Sequence, residues 1–295
     1  MKKGYQRLLI FEVILFALLS LNSFVWNILD NNITIICLLT IIVTFKFLFG
    51  LEKDRHRYVK DVIFDLLIVL LIAFLLYYLF GVIIGFYRIN NYYNLYGIKT
   101  FIIPTILLVI LKEYLRYQMH NKSEGSNLLI TTTKILFICL DISTAVYYEK
   151  FATSYDTFMF IALVLLPSVS RNITSSYIAT KLGYKPNIVW LLVLELYSYL
   201  IPIIPNPNEY ILSIIRFIFP LVIMSKIYLF FEKAKDREIK REYNKRNGWL
   251  LIFPTVIVIL VVYFTSGYFS YYTIAIASGS MSPAINTGDV VVIEK

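Results

Sequence analysis

Long apolar runs alternate with short polar segments along almost the whole chain. Nine of these runs are long enough to cross about 30 Å of hydrocarbon at about 1.5 Å of rise per residue, so each predicts a transmembrane helix. The shortest run has Lys46 near its end, where a long basic side chain can reach the lipid headgroups. The predicted spans are residues 8–29, 33–49, 62–87, 101–119, 128–148, 157–178, 187–204, 211–231 and 249–269.

The composition excludes an ordinary soluble domain. Of the 295 residues, 59% are hydrophobic and 16% are charged, whereas soluble domains have about a quarter charged residues. The first span follows a basic N-terminus but lacks a small-x-small cleavage pattern, so we interpret it as a retained anchor. We therefore predict an all-α polytopic membrane protein with about nine transmembrane helices, followed by the start of a small extracytoplasmic β domain.

The distribution of basic residues predicts the orientation in the cell membrane. With the N-terminus in the cytoplasm, the predicted inner segments hold 20 Lys and Arg residues and the outer segments hold 3. This is the positive-inside pattern, so the net charge of +9 does not indicate a nucleic-acid partner. The C-terminal tail is then extracytoplasmic. The basic segment 232–248 is predicted to determine topology, with contact to anionic lipid as the alternative.

Several predicted spans carry ionisable residues, among them Glu12, Asp141, Glu195 and Arg216. Charged groups are costly in hydrocarbon, so we expect them to face the bundle interior. Arg216 is predicted to pair with Glu195 or Asp141 from their similar depth. Such a pair has two interpretations, an internal salt bridge between helices or part of a transport or proton pathway.

No motif indicates a cofactor or a metal. The histidines, His56 and His120, are single residues in predicted cytoplasmic loops, where we expect them to be solvated. Cys37 and Cys139 both fall inside predicted spans and give no disulfide framework. Gly-rich phosphate loops and metal-spaced His or Cys clusters are absent from the sequence.

The character of the chain changes after the last span. "YYTIAIA" (271–277) and "DVVVIEK" (289–295) are β-branched, apolar runs that predict two strands. A polar turn, "SGSMSP", lies between them. The predicted organisation is a polytopic region of about eight helices over 1–247, a last transmembrane helix over 248–270, and an incomplete β-rich domain over 271–295.

This tail resembles a known family. "SGSMSPAINTGDVVVIEK" (278–295) is similar to the nucleophile box and adjoining strand of type I signal peptidases, whose pattern is Ser-Gly-x-Met-x-Pro followed by Gly-Asp and an apolar strand. The sequence after the proline is closer to the endoplasmic-reticulum, archaeal and sporulation-associated branch. The resemblance covers about 20 residues at the end of the chain.

The resemblance implies a role for each residue of the turn. Ser280 matches the nucleophile, and Ser278 matches the hydroxyl that donates to the oxyanion, together with the backbone N–H of Ser280. Met281 and Pro283 match residues that shape the turn and the substrate groove. Gly279 allows a bound peptide to approach the backbone closely.

The family also implies a general base, a lysine or histidine on a later strand. Lys295 is the only lysine after the serine, and it ends the second strand, so it is a poor match. About 25 residues cannot bury a core. We therefore expect either a fragment whose catalytic domain continues past residue 295 or a degenerate enzyme, and no peptidase activity from the 295-residue chain alone.

The leading functional hypothesis is a signal peptidase I, a membrane-bound serine endopeptidase that removes N-terminal signal peptides from exported proteins. Its expected partners are preproteins with signal peptides, membrane lipid and the secretion machinery. One alternative is a polytopic transporter or structural membrane protein with a non-catalytic outer tail. Another is a binding module for secreted peptides that does not cleave them.

Overall fold

Eight long helices make up most of the described part of the protein. The structure is a computed structural model, and it describes residues 3–22, 30–54, 56, 58–88, 94–146, 153–237, 256, 259–260, 263, 271–275 and 290–294. In chain order the helices are α1 (Lys3–Leu21), α2 (Asn31–Phe49), α3 (Val59–Ile84), α4 (Leu95–Lys122), α5 (Asn127–Val146), α6 (Ser154–Leu182), α7 (Lys185–Leu200) and α8 (Glu209–Arg237). They coincide, in order, with the first eight predicted spans.

Five helices in the described residues are long and apolar enough to cross a membrane, namely α2, α3, α4, α6 and the Glu209–Glu232 part of α8. The coarse prediction of a helical membrane protein is therefore confirmed, whereas the number nine is not. Helices α1, α5 and α7 lie outside this set, and α7 has 16 residues, which reach only about 24 Å. The ninth predicted span lies almost wholly outside the described residues.

Two apolar clusters form the core, and α4 contributes to both. One cluster joins α3, α6, α7 and α8 to Val109 of α4 and includes Trp190 and Ile223. The other joins α1, α2, α4 and α5 and includes Phe45 and Met119. Helix α6 packs against α4, α5, α7 and α8, so α4 and α6 lie at the centre of the bundle.

Helix α6 owes its central position to small polar side chains. It has the lowest mean hydropathy of the five spanning helices, 1.4, yet the largest buried share, 28%. Small residues at helical spacing let neighbouring backbones approach closely in a membrane bundle. Those that α6 buries are Ser168, Ser170, Asn172, Thr174, Ser175, Ser176 and Ala179.

Prolines explain two irregular turns in the helices. Helix α4 has a π-helical turn at Ile98–Ile102 just before Pro104, and α6 has one at Ile161–Leu165 just before Pro167. A proline has no N–H to donate to the carbonyl four residues earlier, and in both helices that carbonyl lies in the π turn. In the wider turns the N–H groups of Ile103 and Leu166 donate five residues back, to Ile98 and Ile161, and both helices continue through the proline.

A small sheet closes one end of the bundle. Strand β1 (Phe86–Arg88) pairs antiparallel with β2 (Ile203–Pro205), and the Tyr78 hydroxyl of α3 donates to the Ile203 carbonyl at 2.5 Å. We predicted a helix end with a rigid turn over 199–210, and α7 does end at Leu200. The strand that follows was not predicted, because its partner is more than a hundred residues away in sequence.

The predicted strands of the tail are present and paired. Strand β3 (Tyr271–Ala275) is antiparallel to β4 (Val290–Glu294). Both lie inside the predicted ranges 271–277 and 289–295. The β-rich character of this region is therefore confirmed for a two-stranded sheet.

Candidate functional site

The hairpin of β3 and β4 brackets the motif that resembles a nucleophile box. Tyr271 lies opposite Glu294, and Ala275 lies opposite Val290. The two ends of the connecting segment are therefore about 5 Å apart. The predicted site residues themselves lie outside the described residues; they are Ser278, Gly279, Ser280, Met281 and Pro283.

One contact ties the approach to this hairpin to the helical bundle. The Tyr263 hydroxyl donates to the carbonyl of Leu200, the last residue of α7, at 2.6 Å. Tyr271, where β3 begins, follows Tyr263 by eight residues, which reach at most about 28 Å. The first residue of the hairpin therefore lies within about 28 Å of Tyr263, and Tyr263 itself contacts the end of the bundle that the β1–β2 sheet closes.

A second candidate site, inside the bundle, is centred on Asp141 of α5. Its carboxylate pairs with Lys112 of α4 and accepts a hydrogen bond from Arg171 of α6 at 3.2 Å. Asn172 Nδ2 and Ser168 Oγ also donate to it, at 2.7 and 3.0 Å. A buried charge is tolerated when it is paired and fully hydrogen-bonded, so Asp141 links three helices.

Arg171 extends the network to α7. Its Nη1 lies 2.6 Å from Glu195 Oε1, and the exposed fractions of the two side chains are 31% and 40%. The predicted pairing of Arg216 with Glu195 or Asp141 is wrong, because Arg171 takes both carboxylates. Similar depth in the membrane cannot identify partners when several helices offer charges at one level.

A neighbouring pair is completely enclosed. Arg116 Nε lies 3.0 Å from Glu113 Oε2, and each side chain is 1% exposed. The guanidinium also donates to Asn172 Oδ1 at 2.6 Å and to Ser176 Oγ at 3.1 Å. The Arg116 guanidinium carbon, Cζ, lies 4.2 Å from the centre of the Phe137 ring. The pair therefore locks α4 against α5 and α6.

Two cavities meet at this network. The smaller, about 230 Å³, lies among α2, α4, α5, α6 and α7, and the larger, about 590 Å³, lies among α3, α5, α6, α7 and α8. Both cavities have charged side chains in their walls, between apolar helices. The residues that line both cavities are Asn31, Asp141, Arg171, Glu195 and Tyr199.

The cavity walls hold one more basic group than acidic groups. The basic side chains are Lys112, Arg116, Arg171 and Arg216, and the acidic ones are Glu113, Asp141 and Glu195. Within the described residues, every basic member except Arg216 has a carboxylate partner. The site therefore has a local formal excess of one positive charge.

Three basic residues of this network were counted with the cytoplasmic segments when the orientation was predicted, although they also fall inside the predicted spans 101–119 and 157–178. Lys112 and Arg116 lie inside α4, and Arg171 lies inside α6. The signal that could have found them is helical spacing, because Lys112, Glu113 and Arg116 continue the apolar run of their helix at intervals of three and four residues. A Lys or Arg counted as cytoplasmic can lie inside a helix of the bundle, because charge counting alone does not separate the two cases.

Two further expectations have different outcomes. Glu12 is buried, as predicted for an ionisable residue of a span, and it accepts hydrogen bonds from Thr132 and Thr133 of α5. His120 was expected to be solvated, but it is 5% exposed in the last turn of α4. His56 lies half-buried in the loop after α2, with Nδ1 2.8 Å from Asp54 Oδ1.

Comparison with known proteins does not identify a family for this chain. No protein-family model, curated protein or solved structure matches the chain. The likeness of residues 278–295 to the signal peptidase motif stays a prediction from those residues. The ion network and its cavities are observations of the described helices that stand beside it.

Proposed function

We propose that the protein is a membrane-bound serine endopeptidase of the signal peptidase type, with Ser280 as its nucleophile. The observation that supports this most is the hairpin, because the two strands expected to flank the motif pair in register. A nucleophile on a loop between paired strands has its backbone fixed at both ends. The polytopic helical region supplies the membrane attachment that such a peptidase requires.

The chemistry follows from the residue types. The Ser280 hydroxyl attacks the carbonyl carbon of the last signal-peptide residue, while a proton acceptor takes its proton. The C–N bond then breaks, the mature protein leaves as an amine, and water hydrolyses the ester. The Ser278 hydroxyl and the backbone N–H of Ser280 stabilise the oxyanion, each donor contributing about 3 kcal/mol. The resemblance assigns the proton acceptor to a lysine or histidine on a later strand.

Membrane attachment of both partners favours the reaction. The apolar segment of a signal peptide is held in the same bilayer as the helices of the protein. The cleavage site then lies near the membrane surface, where the hairpin follows the last predicted span. Such confinement replaces a three-dimensional search by a local one and raises the effective concentration of the scissile bond.

The nucleophile is tested by cleavage of a preprotein whose cleavage site has alanine at the first and third positions before the cut. The gene product purified from its native membrane is compared with Ser280→Ala and with Ser282→Ala, a matched change two residues away. Ser280→Ala is expected to lower the rate at least about a thousandfold, and Ser282→Ala to leave it nearly unchanged. Equal rates for all three proteins, or no cleavage by the wild type, would refute the proposal.

The location of the site is tested separately by thiol labelling in whole cells. In a background without Cys37 and Cys139, Ser280→Cys is expected to react with a membrane-impermeant reagent before lysis. Glu124→Cys, in the turn between α4 and α5, is the control for the predicted cytoplasmic face and should react only after lysis. A reversed pattern would place the hairpin on the wrong face for an exported substrate.

The alternative, a transporter with a non-catalytic tail, is favoured by a different observation. Charged walls enclose cavities between helices that are apolar enough to cross a membrane. Intramembrane charges of this kind often line solute pathways. This alternative predicts that Ser280→Ala leaves the cellular phenotype unchanged, while neutral replacements of Arg171 or Glu195 alter it.

A further inference from the structure

Arg216 differs from the other basic residues of the cavity walls. It lies exposed on α8, seven residues after the helix begins at Glu209, and it lines the larger cavity. Among the described residues, no carboxylate lies within 4.0 Å of its guanidinium, although Lys112, Arg116 and Arg171 all have such a partner. The helix around it is apolar enough to cross a membrane.

An isolated cation at this depth is unfavourable. A basic side chain inside a spanning helix is costly unless it is paired or solvated. The one exposed carboxylate of the same cavity, Glu195, is already held by Arg171 at 2.6 Å. A singly charged anion in the cavity would therefore neutralise both Arg216 and the local excess charge.

Two tyrosines provide further polar groups beside Arg216. Tyr77 of α3 and Tyr197 of α7 line the same cavity, and their ring centres are 6.5 Å apart. The Tyr77 hydroxyl already donates to the Pro205 carbonyl, so the Arg216 guanidinium is the main donor for an oxyanion such as a phosphodiester or a carboxylate, and Tyr197 adds a further polar group.

Part of the cavity wall is apolar, alongside the Asp141, Arg171 and Glu195 side chains that also line it. One helical turn or more deeper along α3 lie Phe74 and Leu70, and Phe219 follows Arg216 on α8. Leu163 of α6 completes this wall. The cavity volume of about 590 Å³ is large enough for part of an acyl chain as well as a head.

We propose that this cavity is a binding site for an anionic amphiphile, with the oxyanion of the head on Arg216 and the apolar chain against Phe74 and Phe219. The polar end lies near the β1–β2 sheet, at one end of the bundle, and the apolar end lies deeper. A lipid with a singly charged phosphodiester head and a free fatty acid share this chemistry. The proposal does not depend on Ser280 and stands whether or not the protein cleaves peptides.

The test measures lipid retention by the full-length protein in nanodiscs of zwitterionic phosphatidylcholine. Native mass spectrometry counts bound molecules as phosphatidylglycerol, oleate or inorganic phosphate is added in separate arms. We expect the wild type to bind phosphatidylglycerol or oleate at least tenfold more tightly than phosphatidylcholine, and inorganic phosphate not to displace either. Whichever of phosphatidylglycerol and oleate binds more tightly identifies the kind of anionic head that the cavity prefers.

Three variants make the result specific to the cavity. Arg216→Gln is expected to lose at least tenfold in affinity, whereas Lys226→Gln, an exposed site ten residues further along α8, should bind as the wild type does. Ala73→Leu, which narrows the cavity from α3 without changing a charge, should also weaken binding. Because Arg216 has no carboxylate partner in the described residues, Arg216→Gln should fold with unchanged near-ultraviolet circular dichroism.

Several outcomes would overturn the proposal. Equal losses in Arg216→Gln and Lys226→Gln would mean that surface charge alone attracts the lipid. Phosphatidylcholine binding as tightly as phosphatidylglycerol and oleate would remove the role of the negative head. Displacement by inorganic phosphate would remove the role of the apolar chain, and an Ala73→Leu variant that binds normally would place the lipid outside this cavity.

Discussion

Replacing Arg116 with methionine is expected to destabilise the bundle more than replacing both Arg116 and Glu113 with neutral residues. The pair is 1% exposed, and the guanidinium uses Nε and Nη2 on the Glu113 carboxylate at 3.0 and 3.3 Å. Breaking such a pair leaves one charge buried without compensation. Each single change, Arg116→Met or Glu113→Gln, should therefore cost about 3–5 kcal/mol of unfolding free energy.

The double variant removes both charges. Its remaining cost comes from Asn172 Oδ1 and Ser176 Oγ, which lose donors at 2.6 and 3.1 Å. A buried acceptor without a partner costs about 1–3 kcal/mol, and the Ser176 hydroxyl can rotate to another partner. The double-mutant cycle should thus give a coupling energy of about 2–3 kcal/mol or more between Arg116 and Glu113.

The assay is reversible unfolding in detergent micelles, followed by circular dichroism as sodium dodecyl sulfate is titrated in. The control cycle uses Lys122 and Glu52, a pair 2.5 Å apart whose side chains are 25% and 48% exposed. Exposed pairs couple by about 1 kcal/mol or less. A coupling energy for Arg116 and Glu113 no larger than that of the control would refute the view that this buried pair fixes α4 to its neighbours.

Two further predictions concern the loop after α2. The hydrogen bond from Lys122 lowers the pKa of Glu52 below 4.5, so the stability that this carboxylate contributes is present above that pH and lost as pH falls through the lower folded-state value. Thermal melts of wild type and Glu52→Gln should therefore differ slightly at pH 7 and converge in acid; a constant difference would contradict this. Gly183→Ala should destabilise more than Gly125→Ala: both glycines have positive φ, but only at Gly183 would a Cβ meet Asp54 Cγ, at 2.6 Å. Equal losses in chemical unfolding would exclude the clash.

The helices and the tail strands could be predicted because their signals are local. An apolar run of sufficient length predicts a helix in hydrocarbon whatever its neighbours are, and the eight predicted runs before the last span are helices. The partners of buried charges are not a local property. Arg171 meets Asp141 and Glu195 only because α6 packs between α5 and α7, and a Lys or Arg at a span boundary gives the same pattern whether it faces water or a carboxylate.

The strand β2 shows the same limit. Ile203–Pro205 is a short apolar segment with two nearby prolines, and alone it predicts a turn. It becomes a strand because Phe86–Arg88 is brought beside it and the hydroxyls of Tyr77 and Tyr78 donate to its carbonyls. The predicted site residues around Ser280 could not be compared with geometry, since they lie outside the described residues.

Lys112, Arg116 and Arg171 lie inside helices of the bundle, which changes the charge count without reversing the predicted orientation. Removing these three from the predicted inner segments lowers their count of Lys and Arg from 20 to 17, and the outer count stays at 3. The charge count therefore still predicts a cytoplasmic N-terminus. The Tyr263 contact with Leu200 and the polar end of the Arg216 cavity lie at the opposite end of the bundle from Lys122.

The two proposals differ in the orientation that they require. A peptidase acting on exported proteins needs the Tyr263 end of the bundle to face outward, whereas binding of an anionic amphiphile at Arg216 is possible in either orientation. Cysteine labelling that reversed the topology would refute the first and leave the second standing.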